Sequence, residues 1–297
     1  MSRSTAVAAT TALPLADLAE SWYTELRALH RSPKTLAAYA AGVDGFLAWH
    51  GRKYPLAEPL LGAGRSPLTA RLRYAALRQF SKWMTEVGEA PADLLTGMKP
   101  PKARQPEVDR LTDDELAAML RACKTGSQFT ARRDEAMLRL MAETGLRASE
   151  VVGLILADVD VARQVAAVRK AKGGKHRVVP FTPETARALD RYLRLRRRHK
   201  LAHTPPLWLP ARGRSFGYQG LAKALGERAE QAGVKGFHLH RLRHTMASQW
   251  LRRGGSEGGL MAVAGWSDRS MLDRYVADTA NDRAIEEARR LGLGLPS

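Results

Sequence analysis

Three histidines and two arginines fall within eight residues, His238 to Thr245 (HLHRLRHT), of a chain otherwise rich in Ala, Leu and Arg. Side chains of these types can bind a metal, rest on a polyanion, or do chemistry at an anion. His240 and His244 are four residues apart, so a helix presents them on one face where they could reach one zinc ion. Zinc needs three or four ligands, and neither a cysteine pair nor an H-E-x-x-H arrangement accompanies the two. Arg241 and Arg243 would also repel a cation. No metal and no cofactor are therefore expected. A plain basic helix and one wall of an anion-handling site remain.

Three other segments carry side chains suited to the second reading. ETGLRASE places Arg147 just past a glycine-marked helix end, so its guanidinium projects from a rigid scaffold. AKGGKH places Lys172 at the edge of a hairpin that its Gly-Gly can turn tightly. AGWSDRSMLDRYV places Tyr275 nine residues after Trp266. Singly these are bland: a solvated arginine, an ordinary hairpin, a core tyrosine.

Order and spacing change the reading. An arginine, a lysine some 25 residues on, an H-x-x-R box, a tryptophan and then a tyrosine resemble the tyrosine recombinase (phage integrase) family. The matching text is TGLRASEVVGL, KAKGGKHRVVP, HLHRLRHTMAS and AGWSDRSMLDRY, and SPKTLAAYAAGVDGFLAW, LRQFSKWM and APADLLTGMKPPK look like the family's core-binding domain and its exit. The likeness covers nearly the whole chain. It implies that Arg147, Lys172, His240, Arg243, Trp266 and Tyr275 are catalytic, and that two domains clasp duplex DNA as a C-shaped clamp.

The roles are chemically sensible. Two always-charged planar guanidiniums, Arg147 and Arg243, can grip the non-bridging oxygens of a phosphodiester as it becomes pentavalent. Tyr275 is the nucleophile, giving a 3′-phosphotyrosyl ester that conserves the bond for rejoining. A phenol of pKa about 10 needs proton removal or cationic surroundings to attack near neutral pH. His240 is the candidate base or positioner. The resemblance makes Lys172 the general acid for the leaving 5′-oxygen, with Lys170 and Lys175 close enough to compete. Trp266 departs from the histidine common at its place: an indole N–H can donate to the phosphate but cannot shuttle protons. His244 is expected to pack or hydrogen-bond, and His238 to be an exposed residue before the helix.

Bulk properties agree. The chain has 297 residues and 48 Lys+Arg against 30 Asp+Glu, a formal net charge of +18. Such an excess favours a polyanion, because each neutralised phosphate releases counterions; a membrane surface is the rival partner. No apolar run approaches the roughly 18 residues of a spanning helix. The single cysteine, Cys123, excludes an internal disulfide, fits a reducing cytoplasm and reads as a small buried hydrophobe.

The elements that must position these groups are mainly α with a small β-sheet. Residues 1–12 read as a flexible arm and 13–95 as a helical, SAM-like core-binding bundle. Within it Ser32-Pro33 and Ser66-Pro67 open helices that end at Gly51 and Gly88. Residues 96–110 read as a proline-bearing linker and 111–280 as an α+β catalytic domain, opened by a Thr112/Glu115 capping box and containing a short β-meander around AKGGKH. Residues 281–297 read as a tail with a short amphipathic helix (Ala284, Ile285, Ala288, Leu291). Lys34, Thr35, Arg71 and Arg73 are expected DNA contacts. The resemblance further implies a homo-oligomer, a dimer on a site and a tetramer in synapsis, joined through the tail. It also implies passage through a Holliday junction. About a dozen residues before the first helix are too few for an arm-binding domain, so cleavage at core-type sites is expected, as by a compact phage or plasmid integrase or an Xer-like resolvase, with the need for an accessory protein left open. The rivals are a type IB topoisomerase and a non-catalytic DNA-binding accessory protein.

Overall fold

Serine–proline pairs start two of the three helices described in the first unit. In the computed structural model, which describes residues 13–50, 66–101, 109–169 and 176–292, these are α1 (Leu15–Ala28), α2 (Pro33–His50) and α3 (Pro67–Glu86). Ser32 Oγ accepts the Thr35 N–H at 3.1 Å, and Ser66 Oγ accepts that of Thr69 at 3.3 Å, with proline in the first turn where no donor is needed. Their apolar faces close on Trp22, whose ring lies 5.4 Å from Tyr39 and 5.3 Å from Phe80. Leu18, Tyr23, Leu26, Val43, Trp83 and Met84 complete this core. Gly42 lets α2 and α3 touch, since a Cβ there would stand 2.6 Å from Ala76 Cβ.

The chain divides into Met1–Gln105 and Pro106–Ser297. The second unit begins with α4 (Asp113–Ala122), where Thr112 and Glu115 form the expected reciprocal cap at 3.1 and 2.9 Å. Next come α5 (Gln128–Thr144) and α6 (Ala148–Val152). An antiparallel sheet of order β1 (Val159–Asp160), β2 (Val165–Val168) and β3 (Arg177–Pro180) follows. Val168 pairs with Arg177, so β2 and β3 flank the hairpin read from AKGGKH. Five helices complete the unit: α7 (Pro183–Arg196), α8 (Tyr218–Gln231), α9 (Leu239–Arg252), α10 (Glu257–Ala264) and α11 (Ser270–Leu291). Helix α5 is the axis: Met137, Leu138, Leu140 and Met141 are buried in a core shared with α7, α8 and the sheet. Cys123 sits in that core as expected, and burial pushes its thiol up to about 12.

Two expectations need comment. The tail helix is not a separate element, because α11 runs unbroken from the turn before Tyr275 to Leu291. No glycine or proline interrupts 270–291, so the helix has no reason to stop at residue 280. The arm 1–12, the connection 51–65, linker residues 102–108, the hairpin tip 170–175 with all three candidate lysines, and 293–297 lie outside the described residues.

Polar burial is concentrated under α5. Asp134, 3% exposed, accepts from Arg133 Nε and Nη2 on one oxygen and from Arg228 Nε and Nη2 on the other, all at 2.9–3.0 Å. Removing this carboxylate leaves two buried guanidiniums facing each other. Asp134→Ala should therefore cost about 3–5 kcal/mol in urea denaturation of the full chain. A midpoint unchanged from wild type would refute this.

Candidate active site

The two arginines of the sequence motifs are held by helix C-termini. A helix end leaves unsatisfied carbonyls and a partial negative charge, both suited to a guanidinium. Helix α5 ends at Gly145 in the left-handed region, φ 61°, and its carbonyl accepts Arg243 Nη1 at 2.6 Å. Helix α10 ends at Gly265, φ 65°. There the Ala264 carbonyl accepts Arg243 Nη2 at 2.8 Å, and the Gly265 carbonyl accepts Arg147 Nη2 at 3.3 Å. Arg243 is 2% exposed. Burial and then the charge of Arg147 push its pKa down to about 10, which still leaves it charged near neutral pH.

Glu150 ties this frame to the sheet. Its carboxylate accepts the backbone N–H of Arg147 at 2.8 Å and Nη1 of the same residue at 3.0 Å. It also accepts both Nη atoms of Arg177, at 2.9 and 2.7 Å. Arg177 opens β3, and its Nε donates to the Val263 carbonyl of α10 at 2.9 Å. The hairpin strand, α6 and α10 thus meet on one carboxylate. Gly265 leaves room for the Arg177 guanidinium, which a Cβ would meet at 2.8 Å.

Tyr275 is 2% exposed and lies between two aromatic neighbours. Trp266 stacks on it at 5.1 Å and 19°, and the Arg243 guanidinium stands 5.2 Å from the Trp266 ring centroid. The Trp266 indole N–H is buried and finds no acceptor among the described residues. On its other flank the phenol Oη lies 2.5 Å from Nδ1 of His244. His240, exposed at the rim, meets the His244 ring edge-on at 4.4 Å. Partial loss of water, then Arg243, His238, Arg274 and Arg147, lower the His240 pKa, so its ring is neutral near pH 7.

The structure brings Arg147, His240, Arg243, Trp266 and Tyr275 into one cluster, whereas Lys172 lies outside the described residues. His238 is exposed at the cap of α9, 3.4 Å from Asp109. In the first unit Lys34 and Arg71 are exposed, Arg73 packs beside Gly45, and the Thr35 hydroxyl shares a hydrogen bond with Ser32 at 2.8 Å. Sequence reasoning missed Glu150 and Arg177 and gave His244 no particular partner. The R-x-x-E spacing of Arg147 and Glu150, one helical turn, was the available signal for the first. For Arg177 and the His244 contact there was none, because their partners are remote in sequence.

Residues 109–282 match the phage integrase family. Tyrosine recombinase XerC of Chromobacterium violaceum is 32% identical over 258 residues, which cover 83% of this chain and 85% of the relative. The chain belongs to the phage integrase family. Tyrosine recombinase XerD of Mycobacterium tuberculosis is 34% identical over 228 residues, covering 74% of this chain and 72% of the relative. Among solved structures, XerH site-specific recombinase bound to a palindromic difH substrate superposes with a TM-score of 0.73. It is 18% identical, and the match covers 91% of this chain and 82% of that one. A lambda integrase tetramer bound to a Holliday junction gives a TM-score of 0.69 at 16% identity, over 91% and 79% of the two chains. These two likenesses show the tyrosine recombinase fold, with its mainly helical build and small sheet.

Burial raises the pKa of Glu150, but the hydrogen bonds from Arg177 and Arg147 and the charges of both arginines outweigh it and set it below the ordinary 4.5. A lowered carboxylate pKa stabilises the fold above the unfolded value, and that stability is lost as pH falls through the folded one. The wild type should therefore lose stability on acidification below about pH 4.5 more steeply than Glu150→Gln, which should already be less stable at pH 7. Parallel acid slopes in denaturant titrations of the two proteins would contradict this.

Proposed function

We propose that the cluster around Tyr275 cuts and rejoins DNA, and that the chain is a tyrosine site-specific recombinase working through a 3′-phosphotyrosyl intermediate and a Holliday junction. The observation that carries this reading is the buried tyrosine stacked on Trp266 beside Arg243, whose buried guanidinium is anchored by two carbonyls. A phosphodiester seated there receives guanidinium hydrogen bonds on its non-bridging oxygens from Arg147 and Arg243. Such fixed donors are worth most where charge grows in the transition state. The orphan indole N–H of Trp266 gains an acceptor on the same phosphate. His240 at the rim orients the phosphate, and Tyr275 attacks phosphorus. Lys172 of the hairpin protonates the departing 5′-oxygen, an assignment that rests on the family motif.

The domain roles follow the same reading. Residues 13–95 bind the core of the site, with Lys34, Thr35, Arg71 and Arg73 on phosphates; 96–110 link the units; 111–280 carry the chemistry. Contacts of this kind position a protein without reading sequence. The partners are double-stranded DNA and further copies of the chain, two on a site and four in synapsis. The end of α11 supports assembly through the tail: Ile285 is 43% and Leu291 59% exposed there. No helix among the described residues is long and apolar enough to cross a membrane, and we place the protein with its DNA in the cytoplasm.

The test is a nicked duplex carrying the site that the full chain enriches from random DNA, its nick letting the cut fragment diffuse away. Wild type should form a covalent complex on a denaturing gel without divalent metal, and Tyr275→Phe none. An equal band from the variant would move the nucleophile elsewhere, and no band from either despite binding would favour an accessory protein. Separately, ending the chain after Arg283 should preserve cleavage of one site yet abolish joining of strands from two duplexes. Undiminished joining would overturn the role given to the tail.

A further inference from the structure

The nucleophile of that reading is hydrogen-bonded to a side chain to which the reading assigns no task. His244 Nδ1 lies 2.5 Å from Tyr275 Oη, and this is the hydroxyl's one hydrogen bond among the described residues. The two residues are 5% and 2% exposed, so water does not compete for the proton. The contact is built by several elements. His244 follows Arg243 on α9, about 100° further round the helix, so one turn of backbone aims the guanidinium at the carbonyls and the imidazole at α11. Trp266 fixes the plane of the phenol from the other side, at 5.1 Å. Thr279 Oγ1 donates to the Tyr275 carbonyl at 2.7 Å one turn along α11. His240 is exposed and shares no hydrogen bond with Tyr275.

We infer that His244 is a catalytic residue: its Nδ1 takes the phenolic proton as Tyr275 attacks and returns it when the strand is rejoined, an assignment that rests on Tyr275 being the nucleophile. In the step, the Oη–H electron pair becomes the bond from Oη to phosphorus while the bond to the 5′-oxygen breaks. The Oη proton passes to Nδ1, and the 5′-oxygen takes a separate proton from the hairpin acid. Rejoining reverses both transfers.

The surroundings suit this task. Burial, then His240, Arg274, His238 and Arg243, push the His244 pKa down to about 3, so Nδ1 keeps a free lone pair at working pH. Those groups come from α9 with its cap residue His238, and from α11. Burial raises the Tyr275 pKa, with Arg274 and Arg243 opposing, so the phenol does not ionise unaided. In the free protein the proton therefore stays on oxygen. A bound phosphodiester adds negative charge that makes the imidazole more basic, and the phenol becomes more acidic as the bond to phosphorus forms.

The test uses the full chain and the nicked duplex described above, with His244→Asn and His244→Ala. Asparagine can accept a hydrogen bond but not hold a proton. Both variants should bind the duplex like wild type and cleave it at least ~100-fold more slowly at pH 7. Their rates should rise ~tenfold per pH unit up to about pH 9 as phenolate forms without help, a slope the wild type should lack. A 5′-bridging sulfur, which leaves without a proton, should restore Lys172→Ala but neither His244 variant. Wild-type cleavage by His244→Asn, a pH-independent loss, or rescue of the His244 variants by sulfur would each overturn the inference. One readout needs no variant: ring ¹⁵N shifts of His244 in the free wild type should show a neutral imidazole with Nδ1 unprotonated, and a proton on Nδ1 would overturn it. A wild type that binds the duplex yet forms no covalent complex would sink the nucleophile reading itself.

Discussion

A guanidinium that must remain charged while almost fully buried needs acceptors that do not neutralise it, and helix C-termini supply these to Arg243. Gly145 and Gly265 each end a helix in the left-handed conformation, and the carbonyls at those ends hold Arg243 and Arg147. A carboxylate against Arg243 would satisfy it as well but would cancel its charge. Carbonyl dipoles leave the full positive charge available. Both glycines are therefore fixed by backbone geometry and by close approach, Gly265 to Arg177 and Gly145 to Met246.

The one carboxylate in the frame is placed behind Arg147. Glu150 is shared between Arg147 and Arg177, so a single acid serves two cations and the site keeps excess positive charge. Because Arg177 is the first residue of β3, the same ion pair fixes the base of the hairpin whose tip carries the lysines.

The helix bearing Tyr275 is attached differently. Leu272, Tyr275 and Thr279 are its buried residues, and polar pairs at its flank do much of the rest. Arg110 meets Asp278 at 2.9 Å and Arg252 meets Asp282 at 3.1 Å. Arg110 adjoins Leu111, whose backbone N–H donates to the Thr245 hydroxyl at 2.8 Å, next to His244. The end of the linker, the histidine helix and the tyrosine helix thus share a small set of contacts. Exposed ion pairs contribute little stability each, so α11 is held more loosely than α5 or α9. One unbroken helix carries both Tyr275 and the exposed Ile285 and Leu291.

The sequence by itself determined what is local. Ser32, Ser66 and Thr112 as caps, Gly145 as a helix end and the strands around Gly-Gly were legible because each rests on contacts a few residues apart. The Arg, His-x-x-Arg, Trp and Tyr motifs named the side chains, since their types suit phosphate chemistry and their order resembles the family's. Tertiary structure alone decided their partners. Which carbonyls hold Arg147 and Arg243, that Glu150 serves Arg177 as well, and that His244 meets the Tyr275 hydroxyl all depend on contacts 21 to 118 residues apart. A one-dimensional pattern carries no trace of such distances, because any of several neighbouring polar residues could have faced the same way. The unbroken α11 is an intermediate case: its residues favour helix throughout, and a boundary inferred from function gave way to that propensity.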